Sequence, residues 1–171
     1  MAKVLTAIVA ENLSTAVKKY QLLPRTHFEG RPGRSTADAV HYLVDKVCMA
    51  WRDNRVVSVL FLDVEGAFPN AITSRLIHNL KRRRVPATIV RYIGQLLTGR
   101  KTRLKFDDYV SEVTNIMNGI GQGDPISMLL YICYNADLLD LPDNPATEDA
   151  IGYVDDIALV AMGSDFRETT R

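Results

Sequence analysis

Residues 56–62, Val-Val-Ser-Val-Leu-Phe-Leu, make an apolar run, interrupted only by Ser58, that stops at Asp63 and passes into the small-residue segment Val64-Glu65-Gly66-Ala67. The run is rich in β-branched and aromatic residues, short for a helix and without polar alternation, which predicts a central strand covered on both faces. The carboxylate then stands where the strand leaves the core. An aspartate at such a place is ordinarily a turn former or a helix cap, so Asp63 alone marks a strand end and nothing more.

A second element changes that reading. Ala150-Ile151-Gly152-Tyr153-Val154 and Ile157-Ala158-Leu159-Val160-Ala161 flank Asp155-Asp156, the pattern of a β-hairpin with both acids at its tip. Beside a strand that ends in Asp63, this hairpin gathers two or three carboxylates. Clustered carboxylates repel and raise one another's pKa unless a hard cation neutralises them. No Cys or His neighbours these acids in the sequence, and oxygen-only donors favour Mg²⁺ or Mn²⁺ over zinc.

Four ordered blocks extend the pattern: Phe28-Glu29-Gly30-Arg31-Pro32-Gly33-Arg34-Ser35-Thr36-Ala37-Asp38-Ala39, Phe61-Leu62-Asp63-Val64-Glu65-Gly66-Ala67-Phe68, Gly119-Ile120-Gly121-Gln122-Gly123-Asp124-Pro125-Ile126-Ser127 and Tyr153-Val154-Asp155-Asp156. Together they resemble the reverse transcriptases of retroelements, most closely the non-LTR (LINE-like) retrotransposon kind, with group II intron enzymes as near relatives. The resemblance covers almost the whole chain. It implies an α+β fold: a polymerase palm-like antiparallel sheet that carries the acids and is backed by helices. It further implies a single domain over 1–171, with 1–55 as partial fingers and connecting helices, 56–171 as palm, and no thumb. The family's Arg-Pro-Ile segment before the first helix is absent, so the same resemblance places the chain's start within the fingers.

The implied reaction is transfer of a nucleotide from a dNTP to a primer 3′-hydroxyl on an RNA template, with two Mg²⁺ or Mn²⁺ ions. Asp63 and Asp155 would be the principal ligands, the Val64 carbonyl would assist, and Asp156 would be the adjacent acid. Phe68 matches the steric gate that occupies the space of a ribose 2′-hydroxyl. Gly66 and Ala67 would let the substrate phosphates approach the backbone. Gln122, between Gly121 and Gly123, and Tyr153 would lie beside the nucleotide and the template strand. This chain has Pro69 where the family commonly carries a second Asp, and Gly121 where it usually has Pro. Partners implied are RNA, a DNA primer, dNTPs and the rest of a longer retroelement polyprotein. An RNA-dependent RNA polymerase shares the carboxylate logic, although Phe68 argues against it, and a non-catalytic remnant keeps the same motifs.

The remaining stretches fit a globular protein. Leu5, Ile8, Val9, Leu13, Ala16, Val17 and Tyr20 recur at helical spacing before Pro24. Ser35 and Asp38 predict a capping box opening a second helix with Val40, Leu43, Val44, Val47 and Trp51 inward. Arg31 and Arg34 precede that helix, either as solvated loop cations or as phosphate contacts. Asn70 predicts a helix cap ahead of Ile72, Leu76, Ile77 and Leu80, and that helix ends in the basic run 81–84. Pro86 opens another helix, with Ile89, Ile93, Leu96 and Leu97 inward. Arg100, Lys101 and Arg103, with Lys105, follow on a strand, as a nucleic-acid track or as charges defending a sheet edge. Asp124 and Pro125 predict the start of an apolar helix packed beneath the sheet.

The formal net charge of +1 excludes nothing, since a nucleic-acid enzyme needs only a local basic surface. Two cysteines among 171 residues suit a reducing interior, the cytoplasm or nucleus, rather than a disulfide framework. The longest apolar run, 128–134, is far shorter than the ~20 residues of a membrane span, so no membrane partner is expected.

Overall fold

The computed structural model describes residues 2–29 and 33–170. Helices α1 (Ala2–Tyr20) and α2 (Thr36–Arg52) precede strand β1 (Val56–Leu62), and helices α3 (Ala67–Asn70), α4 (Thr73–Arg82) and α5 (Ala87–Leu97) follow it. A protruding hairpin carries β2 (Arg100–Thr102), β3 (Lys105–Phe106), β4 (Tyr109–Val110) and β5 (Thr114–Ile116). Helix α6 (Ser127–Asn135), a 3-10 turn (Ala136–Asp140), β6 (Glu148–Tyr153) and β7 (Asp156–Gly163) complete the chain. All pairs between these strands are antiparallel, and the class is α+β. No helix among the described residues is long and apolar enough to cross a membrane.

Helices α1, α4, α5 and α6 enclose the larger core around Leu13, Leu76, Leu80, Ile93, Leu130 and Ile132. Truncating one such fully buried leucine to alanine costs about 2–5 kcal/mol. Helix α6 is apolar on nearly every side because it lies inside this helical layer, packed on α4, rather than beneath the sheet as expected. The smaller core lies between α2 and one face of the sheet, from Ala39 and Ala50 to Ile151, Ala158, Val160 and Met162. Leu139 of the 3-10 turn covers Ala150 and Ile157 on the opposite face.

Helix α2 opens with the capping box that Ser35 and Asp38 predict. Its inward face differs by about one residue from the expected stripe. Val40, Val44 and Trp51 are exposed, while Ala39 and Ala50 face the sheet, where small side chains let helix and sheet approach closely. Two polar ties reinforce the contact: the Tyr42 hydroxyl donates to Asp149 at 2.8 Å and Lys46 Nζ lies 2.8 Å from the same carboxylate. On α1, Leu13, Ala16 and Val17 are buried as expected, but Leu5, Ile8 and Tyr20 are exposed.

The sheet order is β1-β7-β6, which makes β1 an edge strand and corrects the expectation of a central one. Leu60 and Phe61 are 56% and 71% exposed. A nearly continuous apolar run signals that a strand can be covered on both faces; here α2 packs on part of β1 and Ser58 is hydrogen-bonded to Thr169 near the C-terminus, leaving Leu60 and Phe61 uncovered. The loop before α2 pairs with the opposite edge: Phe28 N donates to Gly152 O at 2.9 Å and Gly152 N to Thr26 O at 3.0 Å.

Candidate functional site

Strands β6 and β7 are joined through Val154 and Asp155, with Tyr153 paired to Asp156, so the hairpin carries its acids at the tip. A two-residue hairpin needs left-handed backbone in its turn, a conformation usually supplied by Gly, Asn or Asp. Here it falls on Val154, at φ 57°, an outlier for a β-branched residue. The turn is held from beneath: Asn135 Nδ2 donates to Val154 O at 2.5 Å, and the Val154 side chain packs on the helical core. Asp155 is half-buried and Asp156 is exposed.

The register of β1 on β7 runs from Val56↔Gly163 to Leu62↔Ile157, so the next residues in line are Asp63 and Asp156. These two acids and Tyr153 line a cleft of about 330 Å³ whose apolar wall includes Val40, Leu43 and Phe61. Asp63 and Asp155 both lie near enough to Tyr131 for their charges to act on its hydroxyl. Burial, then the charges of Asp155, Tyr134 and Asp63, push the Tyr131 hydroxyl up to about 12. Val64, immediately after Asp63, is half-buried against the helical core, as Val154 is immediately before Asp155. Each acid therefore hangs from a valine anchored in that core.

Among the described residues no group of three Asp, Glu, His or Cys side chains is arranged to hold a metal ion by itself. Mg²⁺ is usually held by one or two carboxylates together with substrate phosphates rather than by a dedicated protein cage. In that mode the carboxylates at this end of the sheet, Asp63, Asp155 and Asp156, would contribute oxygens to a site completed by the substrate.

The segment after Asp63 turns sharply at Gly66 and enters the core at Ala67, which is buried. Gly66 sits at φ 61°, and Asn70 Nδ2 donates back to Glu65 O at 3.1 Å, so Asn70 closes this loop while Ile72 takes the N-cap of α4 in its place. Phe68 stacks on the buried Tyr131 ring, with centroids 4.9 Å apart and planes at 29°. The glycine block is stitched to the same segment, since Gly119 N donates to Ala71 O at 2.7 Å and Ile120 N to Phe68 O at 2.8 Å. A Cβ on Gly119 would stand 2.5 Å from Pro69 O, so only glycine fits. Gln122 and its neighbours Gly121 and Gly123 are exposed. Asp124 accepts from Ile126 N at 3.2 Å, forming a turn, and α6 starts at Ser127 rather than at Pro125.

The cations are placed less centrally. The Arg100 guanidinium donates to the carbonyls of Leu97, Asn118 and Gly119, so it braces the glycine block from within. Lys101 and Arg103 are exposed on the protruding hairpin. Arg34 folds back onto the carbonyls of Arg25 and His27, over the Phe28 ring. Arg31 lies outside the described residues. Arg82 and Arg83, from the basic run at the end of α4, pair with Asp137, and Arg83 also with Asp140. Two residues of the site escape sequence reasoning: Tyr131, which reads as one more apolar position of α6, and Asn135, a buried amide in an otherwise apolar helix.

Residues 1–168 match the reverse transcriptase (RNA-dependent DNA polymerase) family. Over 176 aligned residues the chain is 26% identical to the probable RNA-directed DNA polymerase from transposon BS of Drosophila melanogaster, covering 100% of this chain and 19% of that protein. It is 25% identical to the RNA-directed DNA polymerase from mobile element jockey of Drosophila funebris, with 99% and 19% covered. Against the retrovirus-related Pol polyprotein from type-1 retrotransposable element R2 of Nasonia vitripennis it is 30% identical, with 60% and 11% covered. The chain thus spans a fifth or less of the length of these relatives. Among solved structures, the telomerase of Candida albicans shares the fold, with a TM-score of 0.52 at 13% identity over 94% of this chain and 30% of that one.

Proposed function

The chain belongs to the reverse transcriptase (RNA-dependent DNA polymerase) family, and from that premise we propose that Asp63, Asp155 and Asp156 form the nucleotidyl-transfer centre of an RNA-directed DNA polymerase domain. The observation that carries this reading is the β1–β7 register, which leads Asp63 toward Asp156 at the hairpin tip. The three-stranded sheet acts as the palm and the region before β1 as part of the fingers. The primer 3′-hydroxyl attacks the α-phosphate of a dNTP paired to an RNA template, and pyrophosphate leaves.

Divalent cations held by Asp63 and Asp155, with the Val64 carbonyl and Asp156 adjacent, would supply charge neutralisation and a more acidic primer hydroxyl. The chain's own residues do the positioning. Gly66 is exposed at the turn, although Asn70 fills the space beside its Cα and Ala67 is buried in the helical core, so a triphosphate meets this segment at Gly66 rather than at Ala67, and the exposed Gln122 is available to the nucleotide or to the template base. Phe68, supported by Tyr131, excludes a ribose 2′-hydroxyl and so selects deoxynucleotides. Lys101 and Arg103 are free to meet phosphates of the template or primer, while Arg100 serves the loop itself.

The test is extension of a DNA primer on an RNA template with dNTPs and Mg²⁺ or Mn²⁺. The unaltered chain extends the primer, and Asp63→Asn and Asp155→Asn abolish extension while their circular dichroism stays that of the parent. Extension retained in either variant refutes the assignment.

A further inference from the structure

Val154 holds a left-handed backbone, φ 57°, in the turn that presents Asp155. For a β-branched residue this conformation is costly, and it persists only where the surroundings impose it. Two contacts bear on it: the Val154 side chain packs on the helical core, and a buried amide holds its carbonyl. Asn135 ends α6, is 5% exposed, and donates its side-chain N–H to the Val154 carbonyl. Earlier on the same helix, Leu129 to Cys133 are all buried, and only the half-buried Tyr134 separates them from Asn135. In such a helix an aliphatic residue would fill the space without the cost of burying an amide. Packing therefore does not explain an asparagine here, whereas its bond to the turn does.

The geometry points to Asn135 as a positioning residue that locks the hairpin turn in its left-handed form and so aims Asp155; this rests on the assignment of Asp155 to the catalytic centre. The lock is separable from a merely structural role because the chain contains its natural suppressor position. Glycine adopts the left-handed conformation freely, so with glycine at 154 the turn no longer needs to be held.

The experiment is a double-mutant cycle of Asn135→Leu and Val154→Gly in the full chain, repeated with Asn135→Ala in case leucine does not fit. Two readouts are taken: Mn²⁺ affinity by electron paramagnetic resonance, which needs no turnover, and the single-turnover incorporation rate at saturating dNTP. Asn135→Leu lowers the rate about tenfold, the loss expected of one hydrogen bond, and weakens Mn²⁺ binding, while the dNTP KM is unchanged. In the Val154→Gly background the same substitution changes both readouts less than about twofold. Equal losses in the two backgrounds overturn the inference and leave Asn135 a packing residue. Asp155→Asn is the control. If it removes Mn²⁺ binding and incorporation while the cycle shows no coupling, only the lock fails; if it alters neither readout, the catalytic assignment fails and the lock falls with it.

Discussion

Replacing Tyr131 by leucine probes whether the Phe68 ring depends on its neighbour to act as a gate. Tyr131 is 1% exposed, and its ring lies 4.9 Å from that of Phe68 at 29°. An aromatic pair of this kind contributes about 0.5–1.5 kcal/mol beyond the area it buries. Leucine fills much of the space but offers no ring face, so the whole pair term is removed. Through the Boltzmann factor this corresponds to a roughly two- to tenfold loss of discrimination between deoxy- and ribonucleotides, if the pair fixes the gate. Tyr131→Phe keeps the stack and deletes only the hydroxyl, so it retains the discrimination. The assay is the ratio of kcat/KM for dCTP to that for CTP in the parent, Tyr131→Leu, Tyr131→Phe and Phe68→Ala. If Phe68→Ala admits CTP while Tyr131→Leu discriminates like the parent, the support argument is wrong. If Tyr131→Phe loses as much as Tyr131→Leu, the hydroxyl and not the stack is responsible.

Two further outcomes follow from burial and linkage. Cys133 is 1% exposed and burial pushes its thiol up to about 12, so thiolate is scarce and a maleimide titration of the folded chain counts one thiol, Cys48, with the second appearing only in urea; two rapidly reacting thiols would show that α6 opens. Asp38 is held below the ordinary carboxylate range by hydrogen bonds from the Ser35 side chain and backbone, and a folded pKa below the unfolded one contributes stability above the unfolded value, about 3.9, that is lost as pH falls through the folded one. The gap in urea midpoint between the parent and Asp38→Ala is therefore constant above about pH 5 and closes below about pH 4; a gap that widens on acidification would contradict the capping role.

What the sequence made legible is what depends on near neighbours. Ser35 and Asp38 are three residues apart, and their mutual capping needs no tertiary partner. The Tyr153–Asp156 turn is equally local. The misread features depend on what arrives from elsewhere. The apolar run of β1 resembles a central strand because nearly every residue tolerates cover, yet among the described residues the sheet has three strands and ends at β1. Asn70 and Asp124 have the chemistry of helix caps, but each side chain bonds to its own loop, and the helices begin two or three residues later. Helix α2 turns alanines rather than valines to the sheet because close approach, set by the partner surface, outweighs side-chain bulk. Tyr131 and Asn135 carry no local signal for their roles, since Phe68 lies far earlier in the chain and Val154 well after it.

The placement of the acids explains why such distant residues matter. The three aspartates stand at the end of a small sheet whose own core, against α2, is built largely of alanines and medium-sized aliphatics. The larger core of the molecule is the helical one instead, where Leu76, Leu80, Ile93, Leu130 and Ile132 are fully buried. Precision at the acids therefore requires coupling across the seam between the two layers. The structure provides it beside two of the carboxylates: Val64 follows Asp63 and Val154 precedes Asp155, both packed on the helical core, and Asn135 adds a directed bond to the second. Substitutions in the seam disturb the relative position of the acids before they disturb the fold. Substitutions deep in either core do the reverse, because a cavity there lowers stability while leaving the valine anchors and the Asn135 bond intact.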